Sequence, residues 1–207
     1  MFTQQPRSSP TRQSPYHHAE SLNAPPVHPA QQSQTVVGRK VDTLRSELFS
    51  LQGEIANQSE KLVSMQVNGQ NKAATYYASI ATISTQLQSG TTPGNPRLVQ
   101  KLANAQDSLD QLSNNITHLN ELTVEVKNSQ SVANYLLETA RQAYGISGAI
   151  EEDHVMLAKL EDEIEHTATL IRRLLNNVSD DVSRTASYLS TERSNLRTMS
   201  LAITSGD

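Results

Sequence analysis

The sequence predicts an all-α protein: three long helices folded antiparallel, up–down–up, into a coiled-coil-like bundle behind a disordered N-terminal leader. Three observations carry that expectation. Aliphatic residues recur at alternating spacings of three and four over three stretches of about 50 residues each. Short segments bearing Gly, Pro, Asn or Ser separate the stretches. Hydrophobic residues make up 36% and aromatic residues 4%, with no Trp. A thin-cored helical rod needs little more, whereas a compact globular core usually draws on more large apolar side chains.

Residues 1–37 read as the leader. Pro6, Pro10, Pro15, Pro25, Pro26 and Pro29 interrupt a polar stretch with too few apolar residues to offset the entropy of ordering. The rod is expected over 38–207. MFTQQPRSSPTRQSP has no apolar run of the secretory kind, and its prolines oppose the amphipathic helix of a transit peptide. Ser9-Pro10 and Ser14-Pro15 have the form of proline-directed phosphorylation sites, and Pro26-Val27-His28-Pro29 fits the very common PxxP pattern.

The first helix is expected over about 39–88. Val41, Leu44, Leu48, Leu51, Ile55, Leu62 and Met65 form a heptad seam, with Gln58 as its one polar member. Asn68-Gly69 then predicts a kink or short break near 69, since Gly lowers helix propensity by about 1 kcal/mol relative to Ala. Beyond it Ala73, Tyr77, Ile80, Ser84 and Leu87 resume the seam in a shifted phase. SGTTPGNP ends the helix: Gly90 suits a C-terminal cap, Pro93 cannot continue the helix, Asn95 suits an N-cap and Pro96 the first helical position.

The second helix is expected over 96–144. Leu98, Leu102, Ala105, Leu109, Leu112, Ile116, Leu119, Thr123, Val126, Gln130, Ala133, Leu137, Ala140 and Tyr144 alternate spacings of four and three, and Leu122, Val132 and Leu136 widen the stripe on one flank. A widened stripe suits three or more helices better than a two-stranded zipper. In the next turn Gly145 is expected in the left-handed cap position, Ile146 folding back, and Ser147 capping the helix that follows Gly148. A hinge inside one continuous helix is the alternative.

The third helix is expected over 149–203. Leu157, Leu160, Ile164, Thr167, Ile171, Leu174 and Val178 hold the seam. Two successive spacings of four, from Leu174 through Val178 to Val182, then make a stutter before Thr185, Leu189, Leu196, Met199 and Ile203. Acids crowd residues 151–165 and arginines the later part, a gradient that complements the helix dipole.

Formal net charge is −4, against the concentrated basic surface that nucleic-acid binding needs. No cysteine is present, which removes disulfides, thiolate metal sites and a cysteine nucleophile. No apolar run approaches the roughly 20 residues that span a bilayer. The expected location is therefore cytoplasmic, with envelope association open.

Catalytic patterns fare poorly against structural readings. Gly145-Ile146-Ser147-Gly148 departs from the G-x-S-x-G nucleophile elbow because the second glycine comes one position early and no strand precedes it. Glu151-x-x-His154 and Glu163-x-x-His166 match an element of di-iron bundles. Such sites need that element on two helices, and here both fall on one, about 18 Å apart. Asn57, Asn115 and Asn177 begin glycosylation-type triplets, which mean little without a secretory signal. The expectation is no catalytic residue, no cofactor and no metal.

GTTPGNPRLV, YGISGAIEEDH, LIRRLLN and ERSNLRTMSLAI resemble segments of a helical region in uncharacterised alphaproteobacterial proteins, over residues 73–207. The resemblance implies a bacterial source and an interaction role, and that such a region can precede a further C-terminal domain. Together these readings point to a non-catalytic coiled-coil scaffold acting through helix–helix association, in a bacterial envelope or cytoskeletal assembly. Leu44, Leu48, Leu51, Ile55, Leu102, Leu109, Leu112, Ile116, Leu119, Ile164, Ile171 and Leu174 are its expected seam, and a homo-oligomer is compatible with it. The alternatives are an adaptor that accepts a helix from another protein, with Gln58, Thr123 and Gln130 as register-setting layers, or the helical region of a larger protein whose function lies downstream.

Overall fold

A computed structural model of the protein describes residues 35–206. The leader expected over 1–37 lies mostly outside the described residues. Among those described there are three helices and no strand: α1 (Val36–Gln88), α2 (Pro96–Ala143) and α3 (Glu151–Ser205), of 53, 48 and 55 residues. At 1.5 Å per residue each is roughly 70–80 Å long. Cross-helix bonds fix their directions. Gln52 meets Thr167, Gln66 meets Asp181 and Tyr76 meets Glu192, so α1 and α3 run parallel. Gln58 meets Ser129 and Lys61 meets Glu125, so α2 runs against α1. The arrangement is up–down–up, as the spacing predicts.

The start of α1 differs from the expected Arg39. Thr35 is the N-cap, its hydroxyl oxygen accepting from the Gly38 amide at 2.9 Å and donating to Asp153 Oδ1 at 2.8 Å. That second bond ties the first turn of α1 to the first turn of α3, and Val37 is fully buried beside it. Glycine at Gly38 disguises this turn in the sequence.

Nor does the seam of α1 slip at Gly69. α1 is a single uninterrupted helix. Val41, Leu48, Ile55, Leu62, Tyr76 and Ile83 are buried at intervals of seven, and Gly69 fills the remaining slot of that series. Tyr77, expected inside, is 50% exposed. The glycine lies against the α2 side chains Asn115 and Leu112. A Cβ there would lie 3.2 Å from Asn115 Nδ2, and Asn115 uses that amide to donate to the Met65 carbonyl at 3.2 Å. Close approach, rather than a helix break, explains the residue.

In α2 the buried line Leu98, Ala105, Leu112, Leu119, Val126, Ala133, Ala140 keeps a strict period of seven. The flank that the sequence favours is mostly half-buried, Leu109 excepted, while the opposite flank of Ser108, Asn115, Leu122, Ser129, Leu136 and Ala143 is fully buried. Val132 is exposed. In α3 the expected stutter is present: Leu157, Ile164, Ile171 and Val178 are seven apart, the next buried aliphatic is Leu189, and Leu196 and Ile203 follow at seven.

The two connections close the ends. Gly90 is left-handed with φ 81°, after a last turn capped through Ser89. Asn95 Oδ1 accepts from the Arg97 amide at 3.0 Å, with Pro96 opening α2. This loop docks on the end of α3, where the Gly94 amide donates to the Ile203 carbonyl at 2.9 Å. The second turn departs from expectation. Gly145 is not left-handed; Gly148 is, with φ 86°. The last turn of α2 tightens instead, with Tyr144, Gly145 and Ile146 donating to carbonyls three residues back. Ser147 does not cap α3. Ile150 occupies the N-cap, and Asp153 Oδ2 accepts from its amide at 3.1 Å. A buried carboxylate in the first turn thus satisfies the Ile150 amide and favours the helix N-terminus, while no side chain makes the cap bond expected of the serine.

Candidate functional site

The core between the helices is divided along its length. One continuous apolar cluster joins Val37–Leu62 of α1 with Leu119–Ala143 of α2 and Leu157–Val178 of α3. A second joins Tyr76, Ala105, Leu109, Leu112, Leu189 and Leu196, and a third joins Ile83, Leu98 and Ile203. Between the first and second lies a polar layer. Gln66 Nε2 donates to Asp181 Oδ2 at 2.6 Å, Arg184 pairs with the same carboxylate, and Asn115 holds the Met65 carbonyl beside Gly69. All three helices contribute, and the layer coincides with the start of the α3 stutter. A polar residue without a partner at this depth costs about 1–3 kcal/mol, so matched partners fix the axial register of the helices.

A lesser polar layer sits inside the long cluster. Gln58 and Ser129 exchange hydrogen bonds at 2.9 and 3.3 Å, both buried. An opening of about 350 Å³ lies above them between α1 and α2, edged by Glu54, Asn57, Lys61, Glu125, Asn128 and Val132. The Lys61–Glu125 pair across it, at 2.8 Å, is nearly half exposed and contributes little stability. Of the register-setting residues expected from the sequence, Gln58 acts across helices. Thr123 donates to the Leu119 carbonyl of its own helix at 2.9 Å, and Gln130 is half-buried.

Beyond the junction three tyrosines pack edge to face. Tyr76, Tyr77 and Tyr188 have ring centroids 5.6, 6.3 and 6.0 Å apart. The Tyr76 hydroxyl donates to Glu192 Oε2 at 2.8 Å. Burial, then that carboxylate, pushes the Tyr76 phenol well above its ordinary range; burial, then the Tyr77 hydroxyl, does the same for Tyr188. The Tyr188 hydroxyl is itself buried with no hydrogen bond at normal distance. Phenols held neutral in this way are poor proton-transfer groups near neutral pH. The rings close on one another, leaving no cage between them for a cation.

The expected seam residues come to these places. Leu44, Leu48, Leu51, Ile55, Leu109, Leu112, Leu119, Ile164, Ile171 and Leu174 are buried within the rod, and Leu102 and Ile116 are half-buried at its edge. They are occupied by the protein's own helices. Of the two Glu-x-x-His pairs, His154 stacks on Tyr144 with centroids 5.6 Å apart, and His166 is exposed. Among the described residues no three His, Asp or Glu side chains gather as metal ligands, and no helix is long and apolar enough to cross a membrane.

What the sequence reading passed over is the outward face of α1. Phe49 is 66% exposed, Val63 42% and Val67 52%, and Tyr77 continues the row. Between Lys61 and Arg97 the only charged residue is Lys72. The signal was present as a second heptad phase in which Phe49, Val63 and Tyr77 each follow a seam position by one residue, and the stronger inner pattern masked it.

No protein-family model, curated protein or solved structure matches this chain.

Proposed function

We propose that the protein is a non-catalytic coiled-coil scaffold that works through helix–helix association along its long faces. The single observation that supports this reading is the exposed apolar row on α1. The core of the rod is already filled by its own three helices, so large apolar side chains at heptad spacing on the outside serve contacts with another helix. By contrast the outer face of α3 beyond residue 165 is Ser, Thr, Asn and Arg for most of its length. A cytoplasmic location and a place in a bacterial envelope or cytoskeletal assembly belong to the same proposal, by way of the resemblance over residues 73–207. The adaptor reading uses the same face and differs only in what occupies it.

The test is sedimentation of the full chain in extracts of its own cells. The expected result is migration in large assemblies, lost when Phe49, Val63, Val67 and Tyr77 are replaced together by Ser. Thermal melting of the purified variant should stay near the parent value, because all four side chains are exposed, the least being Val63 at 42%. Parent protein that sediments as a free chain under every condition would end the scaffold reading.

A further inference from the structure

The outer row of α1 carries a pattern that inverts onto itself. Its positions alternate spacings of four and three from Phe49 to Ala81, and every one of them is exposed. Reading outward in both directions from Met65, Val63 mirrors Val67 and Glu60 mirrors Gln70. The next pair is Ala56 and Ala74, both small. Gly53 then mirrors Tyr77, and Phe49 mirrors Ala81, so each large ring is matched with a small residue. Over Gly53 the surface is open, with nothing within 4 Å of where a Cβ would stand.

We infer that α1 pairs antiparallel with α1 of a second copy, about a two-fold axis level with Met65. This deepens the helix-association reading above, rests on it, and commits the face to one occupant. In an antiparallel pair each layer combines the two kinds of seam position, so mirrored residues meet. Tyr77 of each copy fills the space over Gly53 of the other, Phe49 lies on Ala81, and the valines close the centre. Glu60 and Gln70 form a polar layer on each side of the axis, which fixes register. A parallel pair would set Gly53 on Gly53 and Tyr77 on Tyr77, leaving voids and clashes, and would place two Glu60 carboxylates face to face. The flanking positions are uncharged as well: Gln52, Ser59 and Gln66 on one side, Ser50, Asn57 and Ser64 on the other. No like-charge contact opposes the approach. The contact is isologous, so it closes at two chains. A strip of about 48 Å by 10 Å per copy gives on the order of 1,000 Å² in total, near the lower limit for a specific interface, and the dimer should therefore be concentration-dependent.

The test uses the purified full chain. Light scattering coupled to size exclusion should give a mass rising from 22.7 kDa towards twice that value as concentration increases. V63E/V67E and V63K/V67K should each remain monomeric with unchanged helicity, since both positions face solvent. An equimolar mixture of the two should restore the dimer. The chain has no cysteine, so oxidative cross-linking reads the register cleanly: A56C mixed with A74C should form a disulfide-linked dimer, and neither alone should. A homotypic A56C cross-link, a dimer that survives V63E/V67E, or a parent chain that stays monomeric at every concentration would each overturn the inference. In the last case the face is free, covered by residues 1–34 or held by another protein. A monomer in vitro with large assemblies in extract leaves the scaffold reading standing and removes only the second copy.

Discussion

The two halves of the rod are built from the same three helices and differ in what fills them. On the side of the Thr35–Asp153 contact the seam is mostly Val, Leu, Ile and Ala, broken only by the paired Gln58–Ser129 layer and Thr167, and its apolar cluster is continuous from Val37 to the level of Val178. On the side of the Gly94–Ile203 contact it breaks into two smaller clusters, contains Tyr76 and Ser79, and meets an α3 whose heptad has just stuttered. Continuous apolar layers exclude water from each other's edges and open together. Interrupted ones can open separately, so local stability falls towards the Gly206 end. A bundle of uniform appearance thus has a firm half and a looser half, with Gln66, Asn115 and Asp181 at the boundary.

The largest expected effects come from the seam. Leu112→Asp places a carboxylate against Gly69 and the core of the looser half, and should abolish cooperative folding there; an unchanged urea transition would contradict that assignment. Matched truncations sharpen the contrast. Ile164→Ala should cost about 2–5 kcal/mol, and Leu196→Ala less, because its site belongs to a smaller cluster that can relax. Equal losses in urea denaturation would mean that the halves are equally firm.

Next in size is the boundary. Asp181→Ala leaves the Gln66 amide and the Arg184 guanidinium without their shared acceptor, and should cost about 1–3 kcal/mol. Hydrogen exchange should quicken in residues 181–205 more than in 157–178. Uniform acceleration along α3 would argue that the layer does not separate two units.

Alkaline pH should act on the looser half through Tyr76 and Tyr188, and on the firm half through Tyr144, whose phenol is likewise raised by burial and by Glu161. The Tyr76 and Tyr188 phenols have folded pKa values raised above the unfolded value of about 10. Their contribution is fully present below that unfolded value and is lost as pH rises above it, because the unfolded chain ionises first. Melting temperature should therefore fall above roughly pH 10, and the fall should be shallower in Tyr76→Phe. A Tyr76→Phe profile that overlays the parent would remove Tyr76 from this role.

The smallest effects compare two glycines of one helix. Gly53→Ala, on an open surface, should stabilise the dilute protein by up to about 1 kcal/mol through helix propensity. Gly69→Ala gains the same propensity but presses on Asn115, so its benefit should be smaller or reversed in sign. Equal gains would show that α1 and α2 are not held close at that point.

Much of this was legible before any coordinates. The inner seam of the firm half, the stutter after Val178, and the turn through Gly90 and Asn95 all follow from spacing and from residues with few conformational options. The misses trace to contacts made only once the helices are assembled. Asn115 and Ser129 line the α1-facing side of α2 because their hydrogen bonds find partners on α1, and Ser108 beside them bonds back to the Asn104 carbonyl of its own helix, yet hydroxyls and amides carry no apolar signal. Gly69 was read as a break because glycine is weak in helices, while its use is to admit a neighbour. Ile150 took the N-cap position expected of Ser147, with Asp153 holding its amide, because the last turn of α2 tightened and displaced the start of α3.

By itself the sequence determined that there are three helices, which residues form their main seam, and where the chain turns, because periodicity and cap chemistry act within a few residues of each other. Tertiary structure alone decided which of the two α2 flanks faces α1, that the α1 heptad runs unbroken through Gly69, and which face of α1 is left without a neighbour. Those outcomes depend on partners more than 50 residues away in the chain, and on whether a polar atom finds its complement once the helices are side by side.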